Sequence, residues 1–180
     1  MKNILISIRL LGLMTLVTGL LYPVSLVAVG YLFPSQAGGS LLRKDGQLIG
    51  SELLAQKNES PRYFQPRPSA GDYATVASAA SNLGPTSAVL AKAIADRRAQ
   101  WGTDAPFDLL TTSGSGLDPH LSPSAAAFQM GRVAEARGIR PDHVEALVKK
   151  FTDGPQFGFL GEPRVRILEL NLALDDSHTQ

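Results

Sequence analysis

The sequence predicts an α+β soluble domain anchored by one N-terminal transmembrane α-helix. Three observations carry that prediction. Leu10 to Leu42 is a run of 33 residues without Asp, Glu, Lys or Arg. Two short extended runs flank Asp45-Gly46, the pattern of a hairpin with a two-residue turn. Helical and alternating periodicities are then interleaved through the rest of the chain, which is the pattern of an α+β domain.

The elements follow in order. Residues 1–9 form a short tail with Lys2 and Arg9 as its only charges. Residues 10–33 form the transmembrane helix, since about 20 apolar residues cross a bilayer core of roughly 30 Å. The stretch is too long for the apolar region of a cleaved signal peptide, which takes about 7–15 residues. Within it Gly12, Gly19, Pro23 and Gly30 fall on one narrow stripe at about 100° per residue. Small residues let helices approach closely in lipid, so the stripe is expected to face a partner helix, with Pro23 kinking the helix on that side.

Residues 34–180 form the α+β domain, expected outside the membrane. Leu41–Lys44 and Gln47–Ser51 form the hairpin. Residues 58–86 are rich in Pro, Ser, Gly and Asn and are expected to be mostly loop. A helix is predicted from Pro85 to before Gly102, with Val89, Leu90, Ala93, Ile94, Arg97 and Trp101 on one face. Phe107–Thr111 is predicted as a strand. Ser122 and Pro123 supply an N-cap and an N1 proline for a helix ending at Gly138, and Pro141 opens another. Leu168, Leu170, Leu172 and Leu174 alternate with Glu169, Asn171 and Ala173, so Val165–Leu174 is predicted as a closing strand.

Composition excludes several functions. The chain of 180 residues has net charge +1 and no Cys. There is no bulk basic field for nucleic acid, and no thiolate for disulfides, zinc–sulfur sites or cysteine catalysis. Gly114 and Gly116 lack the Lys-Ser/Thr of a phosphate loop. Ser113 and Ser115 lack the flanking glycines of a nucleophile elbow. Asp118 and His120 have no third ligand nearby, so no metal is expected; a role in fixing the turn before Ser122 fits them better. Arg62, Arg67 and Tyr63-Phe64 read as Arg–aromatic packing at the surface.

Several segments, in order and spacing, resemble the C-subunit family of the bacterial Kdp potassium-transporting ATPase. They include Gly19-Leu20-Leu21-Tyr22-Pro23, Gly39-Ser40-Leu41-Leu42 and Ile49-Gly50-Ser51. Tyr63-Phe64 with Arg67-Pro68-Ser69-Ala70 follows, then Ser81-Asn82-Leu83 and Thr112 through His120. Gly161-Glu162-Pro163 and Leu168 through Asp175 complete the set. Ala55 and Ala79-Ala80 stand where the family usually has Gly, and Arg166 where it often has Asn. Arg67, Ser69, Asn82, Ser113, Ser115, Asp118, His120, Glu169 and Asn171 are the family-motif positions, expected to be structural or to lie at an interface.

The resemblance implies a non-catalytic accessory subunit of an ATP-driven, high-affinity potassium uptake pump. Its implied partners are a channel-like potassium-binding subunit, a P-type ATPase subunit, a small hydrophobic subunit and membrane lipid. It implies assembly and stabilisation of the complex, and a catalytic-chaperone action that raises the ATP affinity of the ATPase subunit. ATP is implied only through that subunit; no nucleotide ligand carries over to a residue here, and no covalently bound cofactor is implied. The inner membrane is the implied location. Lys2 and Arg9 mildly favour a cytosolic N-terminus, which puts residues 34–180 in the periplasm, away from ATP. Two other classes compete: a membrane-anchored extracytoplasmic hydrolase using the Ser113–His120 loop, and a secreted binding domain released by signal cleavage.

Overall fold

The computed structural model describes residues 2–176. Of the three histidines scattered along the chain, His120, His143 and His178, the last lies outside the described residues. The chain divides near residue 41 into two compact units.

The first unit is dominated by one long helical run from Lys2 to Gly30, long and apolar enough to cross a membrane. It comprises α1 (Lys2–Leu16), a π-helical turn (Val17–Leu21) and α2 (Tyr22–Gly30). The helix therefore extends beyond the uncharged stretch at its start and stops before Phe33. Hydropathy marks where lipid is tolerated, whereas backbone hydrogen bonding marks where the helix ends. The π turn is closed by Tyr22 N–H bonding Val17 O, one residue further back than in an α-helix. Its position has a cause: Pro23 lacks an N–H, and its ring would clash with the carbonyl of Gly19. Widening the turn just before the proline relieves that crowding. Thr18 Oγ1 donates to Met14 O at 2.7 Å and Ser25 Oγ to Tyr22 O at 2.7 Å, so both hydroxyls are satisfied within the helix. A one-turn helix α3 (Pro34–Ala37) follows.

The second unit opens on the hairpin β1 (Leu41–Lys44) and β2 (Gln47–Ser51). Asp45 and Gly46 have φ of 51° and 79°, the two left-handed residues of a type I′ turn. No helix or strand interrupts the chain from there to α4 (Ala88–Trp101). That helix starts later than Pro85, where Ser87 Oγ accepts from Leu90 N. Leu90, Ala93, Ile94, Arg97 and Trp101 are half-buried, but Val89 points to solvent.

Two predicted strands are corrected. Phe107–Leu110 is a one-turn helix, α5, with Leu109 and Leu110 both buried. Neighbouring residues on a strand face opposite sides, so burying both favours the helical turn that Pro106 introduces. At the C-terminus only Arg164–Arg166 is strand (β5), and Ile167–Asp176 is helix α8. The alternating leucines concealed a second pattern. Ile167, Leu170, Asn171 and Leu174 are buried at i, i+3, i+4 and i+7, and counting Asn171 as an outward polar residue hid it.

Between these lie β3 (His120–Leu121), α6 (Pro123–Arg137), α7 (Pro141–Lys150) and β4 (Thr152–Asp153). Strands β3, β5 and β4 form a small antiparallel sheet in that order, pairing Leu121 with Val165 and Val165 with Thr152. Ser122 Oγ caps α6 by accepting from Ala125 N, and Gly138 ends it at φ 67°. The core gathers Val133, Val144, Val148, Val165, Leu170 and Leu174 around the fully buried ring of Phe64. Elements α6, α7, α8 and β5 thus share their core with a side chain that comes from a loop.

Candidate functional site

The segment carrying Phe64 is held by side chains in place of a neighbouring strand. The Asn171 carboxamide accepts from Phe64 N at 2.8 Å and donates to Phe64 O at 3.0 Å. On α6, Gln129 does the same to the next residue, accepting from Gln65 N at 2.9 Å and donating to Gln65 O at 3.0 Å. Arg132 donates to Pro61 O and Tyr63 O, and Arg137 to Arg62 O. Five consecutive carbonyls, from Pro61 to Gln65, therefore each accept a side-chain hydrogen bond. Buried backbone groups must find partners, and here α6 and α8 supply them.

The two arginines also stack. Arg132 lies 5.4 Å from the Trp101 ring and Arg137 4.7 Å from that of Tyr63. Arg137 is 4% exposed; it is paired with Asp175 at 2.8 Å and donates to Leu174 O at 2.9 Å. The expected surface patch of Arg62, Arg67, Tyr63 and Phe64 is thus corrected. Phe64 is core, and the arginine on Tyr63 comes from α6. A buried Phe flanked by chain-ordering polar groups cannot be told from a surface aromatic by local composition.

A second cluster joins the 67–82 and 112–120 loops. Ser113 N donates to Pro68 O at 3.0 Å, Thr112 Oγ1 to Ser81 Oγ at 3.2 Å, and Arg67 contacts Asp118 at 3.4 Å. Gly116 has φ 71°, and a Cβ there would lie 2.8 Å from Ala79 O. Only glycine fits that crossing. Ser69 Oγ accepts from Gly71 N and Tyr73 N, and Ser115 Oγ from Leu117 N. Asp118 Oδ1 accepts from His120 N at 3.0 Å and lies 3.5 Å from His120 Nδ1. Partial burial opposes ionisation of Asp118 most strongly. The His120 side-chain and backbone hydrogen bonds, with the Arg67 charge, outweigh it and hold the carboxyl below the usual carboxylate range.

Ser113 is 2% exposed and its Oγ has no hydrogen-bond partner. Nucleophilic catalysis needs a hydroxyl within hydrogen-bond reach of a base, and no such bond joins Ser113 to His120. Among the described residues no group of three His, Asp or Glu is gathered that could hold a metal ion. A cleft of ≈ 250 Å³ opens between the Phe64 segment and α8, lined in part by Ile49, Leu54, Leu168 and Leu172. Polar groups at its edge already have partners within the fold. Gln56 Nε2 donates to Ile49 O, Lys57 pairs with Asp72, and Tyr63 Oη donates to Asp175.

The family-motif positions therefore separate. Arg67, Ser69, Ser113, Ser115, Asp118 and His120 come together in the loop crossing. Asn82 is exposed at φ 52° just beyond Ser81. Asn171 is a core fastener, and Glu169 pairs with Arg166 at 2.9 Å. Neither Ala55 nor Ala79-Ala80 adopts a positive φ, so alanine is accommodated where glycine is usual. Gln129 and Arg137, which sequence reasoning missed, carried a signal. They share the 125, 129, 133, 137 stripe with Ala125 and Val133, and a polar group on a buried stripe must have a partner. In the long Lys2–Gly30 helix, Gly12 precedes the π turn and Gly19 lies inside it. One extra residue in a turn rotates the C-terminal part of the helix by roughly 100° relative to the N-terminal part. Pro23 and Gly30, both within α2, keep their common face.

Comparison with known proteins gives a consistent picture. The family model described as KdpC, K+-transporting ATPase, c chain, matches residues 4–176. A protein of Methylococcus capsulatus named potassium-transporting ATPase KdpC subunit is 53% identical over 180 residues, covering 94% of this chain and 95% of that protein. Proteins of the same name from Paraburkholderia phytofirmans and Kineococcus radiotolerans are 48% and 53% identical. The first alignment covers 98% of both chains, and the second 87% of this one and 84% of the other.

Proposed function

The chain belongs to the KdpC family of potassium-transporting ATPase subunits, and from that membership we propose that it is a non-catalytic accessory subunit, anchored in the bacterial inner membrane by the Lys2–Gly30 helix. The observation that carries the proposal is the family match over residues 4–176. The absence of a paired nucleophile and base at Ser113 supports it, because the competing hydrolase reading needs that pair. In this reading the chain assembles with the channel-like, ATP-hydrolysing and small hydrophobic subunits of the pump. Gly19, Pro23 and Gly30 face a partner helix in the bilayer, with Gly12 rotated away by the π turn.

The 34–180 domain stands outside the membrane and acts as a catalytic chaperone without touching ATP. Its effect on ATP affinity is a coupling free energy passed through packed helices. By linkage, ATP then tightens attachment of this chain by the same factor. Co-purification of the tagged full chain from mild detergent, in cells grown under potassium limitation, tests the assignment. Recovery of the channel-like and ATP-hydrolysing chains is expected; their absence in those cells would refute it.

A further inference from the structure

The uncharged run outlasts the helix that it fills. Arg9 and Arg43 bound the run, yet the helix ends at Gly30. Beyond that end Tyr31, Leu32 and Phe33 are 81%, 73% and 55% exposed, and Leu41 is 48% exposed. The segment is ordered. Leu32 N donates to Val29 O at 2.9 Å and Phe33 N to Gly30 O at 3.1 Å, so these residues continue as a tight turn. At about 100–120° per residue, Tyr31, Leu32 and Phe33 point to three sides of the helix axis. After α3, Gly39 and Ser40 reverse the chain at φ 87° and 47°. Ser40 N then donates to Ser35 O at 2.8 Å, which closes the elbow on itself. Leu41 therefore emerges close to Phe33, well short of the roughly 26–29 Å that eight extended residues would span.

We propose that Tyr31, Leu32 and Phe33 form a collar seated in phospholipid, where the acyl chains meet the headgroups on the domain's side of the membrane, and that the elbow of residues 34–40 lies among those headgroups. The proposal rests on the membrane anchoring proposed above. Arg9 sets the depth. A cationic side chain within hydrocarbon is costly, so Arg9 stays at one face of the bilayer. Residues 10–30 then rise about 31 Å, which matches a hydrocarbon core of roughly 30 Å. Starting the span at Lys2 would instead sink Arg9 about 10 Å into hydrocarbon. Gly30 thus reaches the far boundary, and the next three residues fall at it. Tyr31 suits that level, where an aromatic ring rests in the apolar layer and its hydroxyl meets water. Geometry decides the occupant. A partner helix or a second copy covers one side of this chain, whereas the collar points to three, and lipid surrounds them all. The elbow carries no charge, so its seat needs no anionic lipid.

Because the chain has no Cys, single spin labels can report the depth of each position. The full chain is reconstituted in phosphatidylcholine vesicles, at no more than one chain per vesicle. It is labelled in turn through Leu20→Cys, Tyr31→Cys, Leu32→Cys, Phe33→Cys, Leu41→Cys and Val76→Cys. The collision rate of each label with oxygen, which concentrates in the bilayer, is compared with that for a water-soluble nickel chelate. The label at 20 is expected deepest and that at 76 fully aqueous. Labels at 31, 32 and 33 are all expected within about 5–10 Å of the headgroup–acyl boundary, with 41 at headgroup level. Phe33→Asp is expected to shift the label at 41 toward the value at 76. Water-like values at 31 and 33, or at 41, beside a deep value at 20 would overturn the proposal. So would shielding of 31, 32 or 33 from both reagents, because protein then covers that side, or a label at 41 that Phe33→Asp does not move. A water-like value at 20 as well removes the membrane anchoring itself.

Discussion

Asn171 and Arg137 hold the domain to one loop conformation through unusually few atoms. Replacing Asn171 by Leu strips both partners from the Phe64 backbone, and each buried unsatisfied group costs about 1–3 kcal/mol. A drop of several kcal/mol in chemical denaturation is expected, with Asn171→Asp intermediate because it still accepts from Phe64 N. Arg137→Met takes the guanidinium donor from three acceptors and should cost about 1–3 kcal/mol, since its partner Asp175 is a third exposed and keeps the Tyr63 hydroxyl. Asp118 adds a pH dependence. Its folded-state pKa is depressed, so its contribution is present above the unfolded carboxylate value of about 3.9 and is lost as pH falls through the lower folded value. Thermal melting across pH 2–5 should show a shallower acid decline for Asp118→Asn than for the native chain.

Among the elements, the loop crossing at Gly116 and the π turn lead to separate expectations. Gly116→Ala combines a left-handed backbone with a Cβ 2.8 Å from Ala79 O. It should destabilise by roughly 1–3 kcal/mol and speed hydrogen exchange at Ser113 N, which is bonded across the crossing. In the Lys2–Gly30 helix, Gly30→Leu should weaken partner co-purification more than Gly12→Leu, because the π turn separates Gly12 from the Pro23–Gly30 face. Equal loss from both would restore a single straight stripe. Elements with their own punctuation were legible in the sequence: Asp45-Gly46 for the hairpin, Ser122-Pro123 and Gly138 for α6. Elements decided by tertiary burial were not. The leucines of 168–174 satisfy a strand period and a helix period together, and burial of Ile167, Leu170, Asn171 and Leu174 on one face selects the helix. The candidate site was half legible. The 112–120 motif was visible as a loop, but its contact with 67–82 joins residues far apart in sequence. The Pro61–Gln65 segment offered no signal without its partners.

At the scale of the molecule, the net charge of +1 conceals a helix whose only charges are Lys2 and Arg9 and a balanced domain whose polar groups are largely spent on holding its own loops. A domain built this way is suited to presenting a fixed surface. The proposed action depends above all on the domain lying outside the membrane, away from the nucleotide. The chain has no Cys, and Val76 is fully exposed, so Val76→Cys creates a single accessible thiol. In intact cells with a permeabilised outer membrane, that thiol is predicted to react at once with a membrane-impermeant maleimide. Protection until the inner membrane is lysed would place the domain beside ATP and contradict an action at a distance.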